Sequence, residues 1–332
     1  MVRWSSNHDP LQAARAWLAD DGSAALATVI STWGSAPVPA GGQMAVARDG
    51  RFAGSVSGGC IEADVISEAQ DVIAKGRAKV LDFGVSDDIA WRTGLACGGK
   101  LSVYVEPLTR ERDTADLETI LQARAARAPL VVSTRLADGQ RSFVTPSGNT
   151  SPDVTRCFAS GESVLSGEGN ARVFFQALMP IVHLVIAGAT ETGQVLGAVA
   201  QRLGWKITIV DPREAFASED RFAGFDTNVA WPGEALAGLA LDARTAVVAL
   251  THAGHIDDEA LAAALASPCF YVGALGSRKT HAARVQRLKA AGLSADAIAR
   301  IRAPVGLDIK AKTPGEIAVS IAAEIIATQR GG

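Results

Sequence analysis

Two short stretches hold the residue types with the most chemistry to offer. In GSVSGGCIEADV, Ser57, Gly58, Gly59 and Cys60 stand where an apolar run passes through a glycine-rich turn into a helical pattern. In ACGGKL, Cys97 precedes the pair Gly98 and Gly99. Successive backbone N–H groups in a turn before a helix make a concavity for an anion, reinforced by the helix dipole. A glycine pair lets a bulky ligand approach the backbone, and a cysteine ahead of a helix has its thiolate favoured. Each cysteine can be read as a metal ligand, a nucleophile or small buried filler. No histidine lies between His8 and His183, so a catalytic cysteine here has no histidine base in its own part of the chain.

A second set of candidates lies further on. VIAGATETGQVLGAVAQRLGWKITIVDPR runs from a strand through Gly188 into a helix near Gly193, then to a second strand ending at Asp211. That is the order of a dinucleotide-binding unit, with Asp211 where a ribose-binding carboxylate is expected. Thr190 takes the middle glycine position of the fingerprint, and Gln194 stands where a Walker loop requires lysine. Two readings stay open: NAD(P) or another phosphate ligand at the helix N-terminus, or a doubly wound domain without tight dinucleotide binding. His252 and His255 follow the strand TAVVAL and, with no third ligand at matching spacing, read as loop histidines. In SRKTHAARVQRLK, Ser277 and Arg278 are candidate phosphate contacts, whereas Arg284, Arg287 and Lys289 read as a solvated face.

The elements that must position these residues follow from periodicity. Residues 10–19 and 61–74 read as helices, 24–32 as a buried strand, and 43–47 with 51–56 as a hairpin turning at Asp49-Gly50. Strands at 79–83 and 101–107 bracket the second cysteine turn. A helix at 117–127 and a hairpin at 130–144 lead into a polar stretch, 145–170, read as a long loop or linker. From His183 strands and helices alternate, which argues for a parallel sheet covered on both faces. Thr313, Pro314 and Glu316 mark the capped start of a closing helix. The expected fold class is α/β: a mixed N-terminal domain over 1–170 and a doubly wound, Rossmann-like domain over 171–332.

Composition narrows the function classes. The chain has 332 residues, 48% hydrophobic and 20% charged, with a formal net charge of −3. That balance gives no electrostatic reason to expect nucleic acid or an acidic membrane surface as a partner. No apolar run reaches the length of a membrane span, and the N-terminal sequence lacks the apolar core of a secretory signal. The four cysteines, Cys60, Cys97, Cys157 and Cys269, form no C-x-x-C pair. A reducing, cytoplasmic setting is expected.

The run GSAPVPAGGQMAVARDGRFAGSVSGGCIE resembles the signature of the XdhC/CoxI family, accessory proteins of xanthine dehydrogenase and related molybdenum hydroxylases. ACGGKLSVYVEPL is similar to the family's second block. IVDPR, YVGALGSRKTHAARVQRL and IRAPVGLDIKAKTPGEIAVSIAAEI resemble its Rossmann-like domain. The resemblance implies a protein that transiently binds the molybdenum cofactor (molybdopterin), a phosphate-bearing pterin whose dithiolene holds the metal. It implies protection of that cofactor, sulfuration by a cysteine desulfurase, delivery to an apo molybdenum hydroxylase, and a homodimer. Cys60 and Cys97 then become candidates for the molybdenum or dithiolene end, with Cys97 the candidate metal ligand, and the glycine turns candidates for the phosphate. The family carries glycine where this chain has Thr190 and often a basic residue where it has Val38. The alternative function is an NAD(P)-dependent oxidoreductase using Gly188 to Asp211, and a third is a docking scaffold between desulfurase and hydroxylase.

Overall fold

The computed structural model describes residues 9–84, 99–148 and 151–331. The chain divides into two compact units, Met1–Pro180 and Ile181–Gly332.

The first unit is built on two antiparallel sheets. Strands β1 (Ser23–Trp33), β2 (Gln43–Ala47), β3 (Phe52–Gly54), β4 (Lys79–Phe83) and β5 (Lys100–Thr109) form one, in the order β3-β2-β1-β5-β4. Seven consecutive residues of β1 are buried because both faces of the sheet are covered. Helix α1 (Pro10–Asp21) is capped by the Asp9 carboxylate and stopped by Gly22 in the left-handed conformation. Its Leu11, Ala14 and Leu18 pack with Ala24, Leu26 and Leu108 on one face. On the other, Val65, Ala69 and Val72 of α2 (Glu62–Lys75) pack on Ala25, Ala27, Val29, Val103 and Val105. Helix α3 (Arg110–Ala125) follows β5 directly.

The second sheet orders as β7-β6-β9-β8, from β6 (Leu130–Arg135), β7 (Arg141–Val144), β8 (Val164–Ser166) and β9 (Val173–Leu178). The stretch expected as a linker contains a helix, α4 (Pro152–Ser160), with Ser151 as N-cap, proline at its first turn and Gly161 as its left-handed cap. The expected boundary near Ala171 precedes β9, whose residues pair with β6 throughout. The units therefore divide after that strand, at Pro180.

The second unit is a six-stranded sheet, parallel throughout. Its strands are β10 (His183–Ala187), β11 (Lys206–Val210), β12 (Asp226–Asn228), β13 (Thr245–Ala249), β14 (Tyr271–Ala274) and β15 (Ile301–Arg302). Counted within this unit the spatial order is 3-2-1-4-5-6, the order of dinucleotide-binding folds. Helices α5 (Glu191–Arg202), α8 (Gly254–Leu265), α9 (Arg278–Ala290) and α11 (Pro314–Gln329) are its longer helices; short ones at Glu219–Phe222 (α6), Pro232–Ala237 (α7) and Ala295–Ala299 (α10) complete it. The closing helix has the full capping box, Thr313 and Glu316 each serving the other's backbone N–H. No described helix is long and apolar enough to cross a membrane.

Candidate functional site

The turn from Ser55 to Ile61 is organised around one side chain, Glu62. Its carboxylate accepts from Ser55 Oγ and Ser57 Oγ, both at 2.6 Å, and from the N–H groups of Val56, Ser57 and Gly59 at 3.2, 2.9 and 2.9 Å. Gly58 N–H donates to Ser55 Oγ at 2.8 Å, while those of Cys60 and Ile61 donate to Ser57 Oγ at 3.0 and 3.1 Å. Six consecutive backbone donors are thus satisfied within the turn, which corrects the expectation of an open phosphate concavity at Ser57, Gly58 and Gly59. The anion in the nest is the chain's own. Burial pushes the Glu62 carboxyl up, but the hydrogen bonds from Ser55 and Ser57 outweigh it and hold the group at about 2.

What the turn presents outward is Cys60, exposed and free. Gly58 and Gly59 take φ of 81° and 119°, so the bend that delivers the thiol needs glycine. The start of β5 and the residue before it border the same turn. Gly99, Lys100 and Leu101 line a small cleft together with Val56, Ser57 and the loop Ser35, Ala36 and Pro37. A Cβ on Gly99 would sit 3.0 Å from the Trp33 carbonyl oxygen and 3.1 Å from that of Ser35, so only glycine lets this strand start lie so close to the loop. The same loop reaches the first turn, where a Cβ on Gly58 would meet Pro37 at 3.7 Å. Cys97 and Gly98 lie outside the described residues. Val38, where a basic residue was expected, packs on the apolar core under α2. Among the described residues no group of three or more His, Cys, Asp and Glu is arranged to hold a metal ion.

In the second unit the dinucleotide loop keeps its shape but spends its polar groups internally. A Cβ on Gly188 would lie 2.9 Å from the backbone of Leu250 and Thr251, and one on Gly193 2.5 Å from the Gly188 carbonyl oxygen. Both glycines therefore serve close packing. Thr190 is the N-cap of α5, its Oγ1 accepting from Gly193 N–H at 3.2 Å. Asp211 reaches the end of β11 as expected, but fully buried. Its oxygens accept from Ala189 N–H at 2.8 Å and from Arg213 N–H, Nε and Nη2 at 2.9, 2.8 and 2.7 Å. Although burial works against ionisation, those bonds hold the carboxyl below its ordinary range. The expected ribose ligand is instead a clamp between the first loop and the second strand.

Ser277 likewise caps its own helix, accepting from Thr280 N–H at 3.1 Å, with Arg278 exposed beside it. Arg284, read as part of a solvated face, is 2% exposed. It reaches under the helix to donate to the Leu275 carbonyl at 3.0 Å and pairs with Asp257 at 3.5 Å. Helical spacing alone could not separate it from Arg287, which is exposed and paired to Asp258 at 2.5 Å. His252 and His255 are both exposed, the latter's ring tilted against Trp231 with centroids 5.8 Å apart. Sequence reasoning missed Glu62, for which a carboxylate following the serine-glycine turn was the available signal.

Residues 184–325 match the family model described as the XdhC Rossmann domain, and residues 17–84 that of the XdhC and CoxI family. The chain is 31% identical over 305 residues to the "Molybdenum cofactor insertion chaperone PaoD" of Escherichia coli strain K12, covering 91% of this chain and 82% of that protein. It is 27% identical to a probable xanthine dehydrogenase subunit of Bacillus subtilis strain 168, over 95% and 96% of the two chains. A crystal structure described as a xanthine dehydrogenase from Bacillus halodurans superposes with a TM-score of 0.76 at 25% identity, covering 97% of this chain and 96% of that one. The chain belongs to the XdhC and CoxI family.

Proposed function

We propose that this protein is a carrier that binds the molybdenum cofactor transiently, shields it and hands it to an apo hydroxylase of the xanthine dehydrogenase type. The observation that carries the reading is the exposed Cys60 thiol on a turn braced by Glu62, beside a cleft shared with Gly99. Soft thiolates suit a dithiolene-ligated metal centre, and a braced turn presents one in a fixed position without ordering cost at binding. The naming of one relative as an insertion chaperone and another as a probable component of xanthine dehydrogenase supports the same reading. A cysteine desulfurase that sulfurates the held cofactor, a homodimeric assembly and a cytoplasmic location belong to the proposal.

The test is co-purification from cells able to make the cofactor, followed by assay of molybdenum and of the oxidised pterin. Wild-type protein should carry both in parallel. Cys60→Ser and Cys97→Ser should each lower retention while leaving the thermal melt unchanged. A folded wild-type protein carrying neither would rule the carrier reading out.

A further inference from the structure

One aromatic side chain beside the cleft is conspicuously unburied. Trp33 ends β1, a strand otherwise among the most buried in the unit, yet the residue is 67% exposed. An indole in water forfeits the apolar burial that aromatic residues usually contribute, so packing does not account for its place. Its backbone is held at the end of the sheet. Trp33 pairs across the antiparallel ladder with Lys100, the last register pair of β1 and β5. Lys100 Nζ lies 5.9 Å from the ring centroid, within the reach of a cation–π contact. Lys100 in turn lines the cleft, and Gly99 packs directly on the Trp33 backbone.

A flat exposed ring next to a cation that lines a cleft, whose wall includes Val56 and Ser57 of the turn carrying Cys60, suits a ligand with three parts. The parts are a planar heteroaromatic ring, an anionic group and a soft sulfur–metal end. We infer that Trp33 is the stacking platform for the pterin ring and Lys100 the contact for its phosphate. Stacking tolerates the absence of hydrogen-bond readout because every heteroaromatic ring has a π-face. Lys100 supplies the cationic phosphate contact that the turn at Ser57–Gly59 cannot, since its backbone donors are taken by Glu62 and Ser55. This inference rests on the carrier reading, and adds to it which residues grip the organic part of the cargo.

The experiment compares full-length wild type with Trp33→Ala, Trp33→Phe, Lys100→Gln and Cys60→Ser against two probes. One is cofactor released anaerobically from a purified molybdoenzyme; the other is a metal-free pterin monophosphate. Retention is read by ultrafiltration and fluorescence of the oxidised pterin. Trp33→Ala should weaken both probes about tenfold, the lower range of base–aromatic stacking. Trp33→Phe should keep most of the affinity. Lys100→Gln should weaken both and flatten the dependence on salt. Cys60→Ser should weaken only the metal-bearing probe. If wild type retains both probes and Trp33→Ala retains them equally well, the stacking inference fails and the carrier reading stands. If wild type retains neither, both fail.

Discussion

Glu62 decides what the cysteine turn can do. Its carboxylate gathers five donors, two hydroxyls and three backbone N–H groups, at 9% exposure. Replacing it by glutamine puts an amide N–H₂ against groups that are themselves donors. We expect Glu62→Gln to cost roughly 2–3 kcal/mol, the range for a lost charged hydrogen bond with partners left unsatisfied, read by urea denaturation. The pH dependence has a definite sign. The native group is held at about 2, below its ordinary 4.5. Its contribution is therefore fully present above pH 4.5 and is lost as pH falls toward 2. Wild type should lose stability over that window more steeply than Glu62→Gln. Equal acid profiles for the two would mean that the carboxylate does not brace the turn.

At the scale of elements, two sheets of the first unit meet around Arg141 of β7. Its side chain is 7% exposed and pairs with Glu106 of β5 at 2.7 Å and with Asp113 and Asp116 of α3 at 2.8 and 3.1 Å. Burial pushes the Glu106 carboxyl up despite the Arg141 charge. Arg141→Met should destabilise the protein by about 3–5 kcal/mol, the range for breaking a buried pair from one side. Glu106 then loses its counter-charge, its carboxyl moves up further, and the native state holds a proton the unfolded state releases. The penalty should consequently grow as pH rises above the ordinary carboxylate value of 4.5, seen as a widening gap between the two thermal melts, and a gap independent of pH would exclude this cluster as the link.

None of this cluster was legible from the sequence, because Glu106 and Arg141 look like ordinary alternation along two strands and only tertiary pairing joins them. By contrast, β2, β4 and the β10–α5–β11 unit were legible, since each has strong periodicity and its own turn residues. Strands β12 and β15, of three and two residues, carry no period to detect. Helix α4 was read as linker although Ser151, Pro152 and Gly161 are start and stop signals. At the site, the glycine positions and the thiol were legible, while the internal use of their donors was not. Hydrogen-bond partners five or six residues away depend on the turn's final geometry.

Across the whole molecule, the thiol site and the dinucleotide-binding topology belong to different units, and in the second the groups a dinucleotide would need at the first loop are engaged within the chain. In the second, the Asp211 oxygens that would receive ribose hydroxyls already take four donors. Thr190 caps the helix whose N–H groups would meet a pyrophosphate, and Glu191 places a negative charge in that first turn. Arg221 Nη1 donates to the carbonyl oxygens of Ala189 and Phe216, so the chain after β11 is tied over the same loop. A dinucleotide would have to break a bidentate pair between buried Asp211 and half-buried Arg213, and approach a like charge, before making any contact of its own. We therefore expect calorimetric titration of the full chain with NAD⁺ and with NADP⁺ to give dissociation constants weaker than about 1 mM, under about 4.1 kcal/mol of binding free energy. Micromolar binding abolished by Asp211→Ala would reverse the assignment and restore the oxidoreductase alternative, because it would require the Asp211–Arg213 clamp to open for a ribose.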